Sequence, residues 1–495
     1  MSTVTPRPHV VVVGDVVLDR DVDGRTDRLC PDAPVPVVDV TATRESPGGA
    51  GLTALLCAAS GAHVTLVAPI GDDDAGRVLS EHLRRQVSLL PLPHEGATRL
   101  KMRIRSSGQS LVRVDEGGPG TPHDVPVEEV RALLATADVV VVSDYGAGVT
   151  RDPSLRGLLT EAARGRPVVW DPHPRGGAPV PGVTVVTPNL AEAQSSAADV
   201  APEEPHLDAA TGDVLATTLR AAWDVEAVCV TAGAAGAFLA VDGMEPLFVP
   251  ATPAVGGDTC GAGDRFVATV ALTVARGGLL SDAVGRAVQE ASDWVADGGA
   301  EGFRRREELP AVEAVASAGI RTGADEVLSL APTAGGPTSE AALQQLAAAL
   351  RAGGRTLVAT GGCFDIVHAG HVATLQAARR LGDALVVLVN SDESVGRLKG
   401  AGRPVVTAAD RARVLEAFDC VDAVVVFDED DPSTVLARLQ PDVWAKGGDY
   451  SSTSLPEAEV VREHGGRVVL LPFLGGRSTT GILDRATTLS QVRSA

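Results

Sequence analysis

Two series of short valine-rich runs, separated by alanine- and leucine-rich stretches, constrain the fold of this 495-residue chain more than any other feature. Apolar runs of four to seven residues, bounded by Gly, Pro or Asp, are typical of strands buried on both faces. Helical stretches between such strands indicate parallel pairing. The first series begins at residue 9 and the second at residue 356, so the sequence predicts an α/β protein with two separate sheets.

The same pattern predicts the domain boundaries. Residues 1–318 form a first domain, and residues 341–495 form a smaller doubly wound one. Residues 319–340 contain a segment rich in Pro, Gly, Ser and Thr, which is typical of a linker. Ligands of such sheets bind beyond the carboxyl ends of the strands, so we expect the chemistry in the loops that follow the apolar runs.

Composition excludes several classes of protein. With 43 basic and 64 acidic residues, the net charge is −21, which argues against a nucleic-acid or membrane-surface partner. No apolar run approaches the roughly 20 residues that span a bilayer, and the N-terminus has no apolar signal core. The six cysteines are scattered without a CxxC pair, as in reduced proteins, so the sequence predicts a cytoplasmic location.

Lysine is rare, and its placement is informative. Among the 43 basic residues, lysine occurs only as Lys101, Lys399 and Lys446, all within motif-like segments. Lysine offers a phosphate a compact point charge that arginine does not replace. The three positions therefore favour a role in ligand binding.

A glycine-rich turn before a helix predicts a phosphoryl-transfer site. The N–H groups of Gly261, Ala262 and Gly263 can point at an anion, assisted by the helix dipole. Asp264 then lies in the first turn, where a carboxylate can take a proton from a sugar hydroxyl. Taken alone, the segment fits an N-capping aspartate after a tight turn equally well.

Three further segments support the first interpretation. Asp15 ends the first strand, where it can bind hydroxyls, and Gly48 and Gly49 form a turn into a helix. Asn189 and Glu192 follow another strand at a spacing suited to a hydrated Mg²⁺. Any one of these four segments could be an ordinary turn, but four in this order are hard to explain that way.

These segments resemble the ribokinase-like carbohydrate kinases, and more narrowly their heptose-phosphate kinase branch, over about residues 8–318. The segment DAPVPVV (32–38) points to the heptose branch. The resemblance implies a three-layer α/β/α domain, Asp264 as catalytic base, Gly261–Gly263 as anion hole, and Asn189 with Glu192 organising Mg·ATP. It implies that the sugar is held by Asp15, Gly48, Gly49 and Lys101.

The chain departs from that family at several positions. Gly51 or Leu52 replaces an asparagine, and Ala147 and His173 replace lysines that steady phosphates. Arg265 follows the predicted base where a small hydroxyl residue is usual. These changes leave open a degenerate kinase that serves as a binding or dimerisation module.

A second motif, GGCFDIVHAGH (361–371), joins a strand directly to a helix. His368 and His371 lie three residues apart, on one side of the first helical turn, where imidazoles can donate to nucleotide phosphates. A metal-binding pair is the alternative, although zinc would want more ligands and only Cys363 is near.

The segments VNSDESVGRLKG (389–400), KGGDY (446–450) and STT (478–480) follow this motif. Together they resemble the HxGH cytidylyltransferase-like superfamily, specifically its ADP-heptose synthase branch, over about residues 355–490. The resemblance implies a Rossmann-like domain in which Lys399 and Lys446 neutralise phosphates, Lys446 acting in catalysis with the two histidines. ATP would be held by Gly362, Phe364, His368, His371 and the helix start at Ser478, Thr479 and Thr480. The DxD in FDEDDPST (427–434) resembles an aspartyl-phosphatase motif, but it fits a loop with a helix start better.

Together the resemblances imply a bifunctional enzyme. The first half would use ATP to phosphorylate D-glycero-β-D-manno-heptose 7-phosphate at its anomeric hydroxyl. The second half would transfer AMP from ATP to heptose 1-phosphate, with Mg²⁺ as cofactor. Because no phosphatase site is evident, a separate phosphatase is expected between the two steps. Another sugar, CTP in place of ATP, and a homodimer all stay open.

Overall fold

The computed structural model describes residues 7–106, 109–118, 120–201, 211–252, 257–308, 340–400, 402–447 and 456–472. These residues form two compact units. The first contains residues 7–242 and 251–308, and the second contains residues 243–250 and 340–472. The predicted linker lies almost wholly outside the described residues, so the boundaries at 318 and 341 stay predictions.

The first unit alternates strands and helices, as the apolar runs predict. Its strands are β1 (His9–Gly14), β2 (Val16–Leu29), β3 (Pro36–Gly49), β4 (His63–Pro69), β5 (Ser88–Leu92), β6 (Leu100–Ser106), β7 (Gln109–Glu116), β8 (Val139–Ser143), β9 (Val168–Asp171), β10 (Val185–Val186), β11 (Ala227–Thr231) and β12 (Gly236–Val241). Its helices are α1 (Ala50–Ala59), α2 (Asp74–Arg84), α3 (Val127–Thr136), α4 (Pro153–Ala163), α5 (Leu190–Val200), α6 (Gly212–Trp223), α7 (Ala262–Ala275), α8 (Leu280–Ala296) and α9 (Gly299–Glu308), with short 3₁₀ turns at Val149–Arg151 and Gly233–Ala235.

The main sheet of this unit has the order β12-β11-β10-β9-β8-β1-β4-β5. The pairing is parallel except between β11 and β12. In β1, the four residues Val10–Val13 are fully buried, because helices cover both faces of the sheet. Residues on one face pack against α3, α4, α5 and α6, while α1 and α7 contact the other. The three-layer arrangement predicted for this half is therefore present.

A second, smaller sheet has the order β3-β2-β6-β7. Strands β2 and β6 are parallel, in a register that sets Asp19, Asp21 and Asp23 beside Lys101, Arg103 and Arg105. Because side chains alternate along a strand, these six residues lie on one face of the sheet. We call this face the charged face.

The second unit repeats the alternation on a smaller scale. Its strands are β13 (Leu247–Pro250), β14 (Leu357–Gly362), β15 (Ala384–Asn390), β16 (Ala423–Phe427), β17 (Val443–Gly447) and β18 (Arg467–Leu471). Its helices are α10 (Glu340–Leu350), α11 (Ala369–Arg379), α12 (Asp392–Lys399), α13 (Ala408–Glu416), α14 (Ser433–Leu439) and α15 (Pro456–Glu463). The order β16-β15-β14-β17-β18 is parallel throughout, and β13 pairs in parallel with β18 through Leu247 and Leu470.

Side-chain packing explains the stability of this unit. Trp444 at the centre of β17 is fully buried, in a core shared with α10, α14 and α15.

Across the described residues of both units, no helix is long and apolar enough to cross a bilayer. The six cysteines are free thiols.

A pair of glycine substitutions tests the packing of the first unit. A Cβ on Gly14 would lie 2.2 Å from the backbone oxygen of Ser143 in the neighbouring strand, so Gly14→Ala should destabilise the unit by about 1–3 kcal/mol. Gly157 lies in α4 with no atom near its missing Cβ, so Gly157→Ala should stabilise by about 0.5–1 kcal/mol. Calorimetric melting of the full chain measures both, and an unchanged Tm for Gly14→Ala would contradict the packing.

Candidate active sites

The predicted base of the first unit sits at the start of α7. Gly261 is the N-cap of this helix, at a φ of 79° that favours glycine. Asp264 follows in the first turn and is only 5% exposed. Because the cap is Gly261, the alternative that Asp264 is an N-capping aspartate is wrong.

Two hydroxyl groups hold the Asp264 carboxylate. Thr53 of α1 donates to Oδ1 at 2.6 Å, and the Tyr145 hydroxyl lies 2.9 Å from each carboxylate oxygen. Burial raises the pKa of Asp264 to about 6, and the hydrogen bonds from Thr53 and Tyr145 limit that rise. The group is thus mostly ionised at neutral pH while its proton affinity stays well above that of an exposed aspartate. Such a carboxylate suits a general base.

The predicted anion hole needs one correction. The N–H of Ala262 already donates to the Thr259 oxygen at 3.1 Å, so it is not free to bind an anion. The N–H groups of Gly261 and Gly263 make no hydrogen bond within the described part of the chain. A Cβ on Gly261 would approach Leu52 to 2.9 Å, which explains the glycine there. Two donors of the predicted three therefore remain.

Backbone N–H groups engage the Asp15 carboxylate, and its predicted sugar contact stays a prediction. Its carboxylate is 1% exposed and accepts the backbone N–H groups of Tyr145, Ala147 and Val149 at 3.0, 2.9 and 3.3 Å. These contacts shape the loop that carries Tyr145. Gly49 adjoins it with a φ of 60°, and a Cβ there would lie 2.6 Å from the Asp15 backbone oxygen. Asp15 and Gly49 thus fix the backbone that supports the site.

Asp19, which was not predicted from the sequence, lies beside the predicted Gly48. A Cβ on Gly48 would lie 2.2 Å from Asp19 Oδ2, so the predicted Gly48 makes room for this carboxylate. Asp19 pairs with Arg103 at 3.1 Å and is near enough to Asp264 to raise its pKa. The alternation of Asp19 with Lys101 and Arg103 across two strands was the signal that could have found it. Lys101 lies in register between Asp19 of β2 and Asp115 of β7.

Asn189 and Glu192 form a capping box at the start of α5. The Asn189 side chain accepts the Glu192 N–H at 3.0 Å, and Glu192 Oε2 accepts the Asn189 N–H at 2.9 Å. This leaves one carboxylate oxygen of Glu192 for a ligand. Burial raises the pKa of Glu192, and burial followed by the charges of Asp264 and Glu192 raises that of Asp171 at the end of β9. The predicted Mg²⁺ role of Asn189 and Glu192 stays a prediction.

The residues that depart from the kinase family do not engage the Asp264 carboxylate. Arg265 turns away from the site, donating to Ser60 at 3.0 Å and pairing with Glu290. His173 is half-buried, and burial followed by the charge of Arg175 lowers its pKa, so it does not replace the missing cation. Ala147 contributes its N–H to Asp15 instead of a charge.

The second unit contains a cavity of about 450 Å³ at the carboxyl ends of its strands. Six of the residues predicted for nucleotide binding or catalysis line it, namely Gly362, Phe364, His368, His371, Lys399 and Lys446. Ser478, Thr479 and Thr480 lie outside the described residues, so their role stays a prediction. The segment 428–432 is a loop before α14, as expected, although the cap of that helix is Pro432.

The rings of His368 and His371 stack on each other at the N-terminus of α11. Their ring centroids are 3.9 Å apart, and the planes differ by 17°. His368 Nδ1 accepts the Gly370 N–H at 3.2 Å, so the proton of the neutral ring lies on Nε2. Burial and then the neighbouring His368 lower the pKa of His371 to about 4. Over the described ranges, no three or more His, Cys, Asp and Glu side chains are placed to hold a metal ion.

Further residues of this cavity were missed from the sequence. Asp365 is 3% exposed and accepts the N–H groups of Val405 and Val406, at 2.7 and 3.0 Å, and Arg403 Nε at 2.5 Å. It thereby holds Arg403, a cavity cation, in place. Lys446 donates to the buried Glu457 at 2.6 Å. Such tertiary partners leave no local pattern in the sequence.

Comparison with known proteins agrees with this division. Residues 7–302 match the pfkB family carbohydrate kinase model, and residues 359–470 match the cytidylyltransferase-like model. A bifunctional protein HldE of Streptomyces coelicolor is 50% identical over 491 residues, covering 98% of each chain. Another, of Alcanivorax borkumensis, is 39% identical over 488 residues, covering 96% of each. A ribokinase from Thermotoga maritima aligns with a TM-score of 0.46 and 20% identity, over 61% of this chain and 100% of that one.

The fold and the two sites define a bifunctional enzyme, in which a sugar kinase is joined to a nucleotidyltransferase. The chain belongs to the family of bifunctional HldE proteins. The predicted fold class and the two resemblances are confirmed, with ATP as substrate. The alternative of a degenerate first half is not favoured.

The two sites should differ in their dependence on pH. Asp264 must be ionised to act as a base, so phosphoryl transfer should be lost as pH falls through about 6. The expected loss in kcat is about tenfold between pH 7 and pH 5. His371 stays neutral throughout this range, so its titration should not lower nucleotidyl transfer.

Measuring kcat for each activity from pH 5 to 8, with the same enzyme and saturating substrates, tests this difference. A parallel fall of both activities would contradict it, as would a phosphoryl-transfer limb centred below pH 5.

Proposed function

We propose that the chain makes ADP-heptose in two steps that are separated by another enzyme. The first unit phosphorylates D-glycero-β-D-manno-heptose 7-phosphate with ATP, giving the 1,7-bisphosphate. The second transfers AMP from ATP to the heptose 1-phosphate and releases pyrophosphate. The observation that carries the proposal is the presence of two built sites, a buried Asp264 beside free N–H donors and a stacked histidine pair in a cavity.

In the first step, Asp264 takes the proton of the anomeric hydroxyl as its oxygen attacks the γ-phosphorus. ADP leaves, and the N–H groups of Gly261 and Gly263 stabilise the negative charge on the transferred group. Asp19 and Lys101 on the charged face contact the sugar phosphate. Gly48 makes room for Asp19. The predicted residues Gly48 and Lys101 thus belong to the same sugar-phosphate subsite.

Mg²⁺ fits the donors near α5. Glu192 and Asp171 are carboxylates whose pKa values are raised mainly by burial, and a nearby divalent cation would offset the cost of their charge. Glu192 and Asn189 would hold Mg²⁺ through water, with Asp171 beside them. When bound, the ion supplies charge neutralisation to the ATP phosphates.

In the second step, a phosphate oxygen of the sugar 1-phosphate attacks the α-phosphorus of ATP. His368 donates from Nε2 to the phosphates, because its Nδ1 is occupied by Gly370. His371 stacks on it, and Lys399 and Lys446 bring positive charge to the triphosphate. Burial and then the neighbouring His368 lower the pKa of His371, so His371 stays neutral beside the ring on which it stacks.

The sugar and nucleotide in this proposal come from resemblance. The segment 32–38 supports a heptose phosphate, and the segments around the histidine pair support the ADP-heptose branch. No phosphatase site is assigned within the described residues, so a separate phosphatase must act between the steps. ATP as a substrate of both units fits a cytoplasmic location, and a homodimer is compatible with this scheme.

Phosphorus NMR tests the order of events. The purified chain is mixed with ATP, Mg²⁺ and heptose 7-phosphate, and a purified bisphosphate phosphatase is added partway. The expected record is a bisphosphate first, then ADP-heptose with pyrophosphate. If no bisphosphate forms while supplied heptose 1-phosphate is still converted, the first unit acts on a different sugar. Turnover of CTP alone would overturn the adenylyl assignment.

Separate substitutions should remove one activity each. Asp264→Asn lacks the proton acceptor and should lower phosphorylation by about 10²–10⁴-fold while sparing adenylyl transfer. His371→Ala should do the reverse. Both rates are assayed on each full-length variant, after circular dichroism has established that it is folded. Loss of both activities from either folded variant would contradict two independent sites.

A further inference from the structure

Helix α1 carries one buried hydroxyl among apolar side chains. Thr53 is 0% exposed, and its neighbours in the helix are Ala, Gly, Leu and Cys. A buried hydroxyl without a hydrogen bond destabilises a protein, so its partner is informative. That partner is Asp264, 211 positions away in the sequence, at 2.6 Å.

The direction of this hydrogen bond is unusual for a helical threonine. Such hydroxyls often donate to the carbonyl oxygen four residues earlier, as Thr273 does to Thr269 and Thr160 does to Arg156. Thr53 instead donates to a different helix. The Ser143 hydroxyl lies 3.5 Å behind it and completes a buried polar chain.

We infer that Thr53 is a positioning residue for Asp264, whose carboxylate it orients and keeps ionised within a buried site. The inference rests on the proposed role of Asp264 as base. Thr53 contacts Oδ1 alone, whereas Tyr145 is equidistant from both oxygens. Orientation therefore depends on Thr53, and Oδ2 is left with the lone pair that accepts the substrate proton.

The surroundings explain why the carboxylate needs this donor. The groups that face Asp264 from the elements around it are Asp19 of β2, Cys57 of α1, Tyr145 after β8, Asp171 of β9 and Cys260 before α7. The neighbouring cation in the sequence, Arg265, turns away to Ser60 and Glu290. Burial is the largest cause that raises the pKa of Asp264, and the Thr53 hydrogen bond is the first that lowers it.

Thr53→Val removes the hydroxyl and keeps the shape of the side chain. The acid limb of kcat for phosphorylation should move to higher pH by about one pH unit, because a hydrogen bond to a buried carboxylate is lost. At pH 6, kcat should fall about fivefold, while at pH 9 it should approach the parent value. KM for the sugar phosphate should change less than about twofold, since Thr53 is fully buried and offers no surface to a substrate.

Two variants serve as controls. Thr53→Ser restores the hydroxyl and should return the acid limb toward that of the parent. Thr273→Val removes another buried helix hydroxyl, in α7 but away from Asp264, and should leave the limb in place. All variants are assayed as the full chain, with melting temperatures measured alongside.

The outcomes separate this inference from the proposed function. An unmoved acid limb in Thr53→Val, with Asp264→Asn inactive, would refute the role of Thr53 and leave the base in place. A uniform loss of kcat at every pH that Thr53→Ser does not restore would also refute it, as a packing effect. Phosphorylation by Asp264→Asn at the parent rate would refute the proposed function itself.

Discussion

Parallel pairing of strands that are buried on both faces is the constraint on which both units depend. Strand β1 lies between β4 and β8, and its valines leave no polar side chain inside the sheet. The carboxylates that surround the first site therefore lie at or just beyond strand ends. Asp15 follows β1, Asp144 follows β8 and Asp171 ends β9, so one edge of the sheet gathers carboxylates. In the second unit, the neighbouring strands β14 and β17 place the histidine loop and Lys446 together at the carboxyl ends of that unit's own strands.

Gathering carboxylates in a buried place is unfavourable unless each has a partner. Asp15 is satisfied by three backbone N–H groups. Asp144 accepts Thr150 and Gly146, yet burial still raises its pKa to about 6. The side-chain donors to Asp264 are the hydroxyl groups of Thr53 and Tyr145, which can yield to a substrate. The difference in partners thus separates Asp15, which shapes the site, from Asp264, which remains available to exchange a proton.

Much of this arrangement could be predicted from local sequence. The glycine turn before α7 and the His368–His371 spacing are local patterns, and the structure brings six of the predicted residues to one cavity. What the sequence did not reveal depended on contacts between residues that are distant along the chain. Asp15 and Asp19 are both acidic residues near the first strand, and only the pairing of β2 with β6 tells which one faces Arg103. The use of the Ala262 N–H by Thr259 is likewise a matter of turn geometry.

Thr53 illustrates the same limit. In the sequence, Thr53 looks like any small residue of an apolar helix. Its hydrogen-bond partner, Asp264, follows 211 positions later. No periodicity encodes such a bond. It becomes visible only when α1 and α7 pack on the same face of the sheet.

The charged face carries its own counterions. Asp21 is contacted by Arg103, Arg105 and Arg304, at 3.5, 3.6 and 2.7 Å, and Arg103 also holds Asp19. An anion that arrives at this face meets guanidinium groups that are already neutralised and already stripped of much of their water. Because each of these guanidinium groups already has a carboxylate partner, an anion gains less from its charge here than it would beside an unpaired cation. The selectivity of this face then depends on geometry more than on net charge.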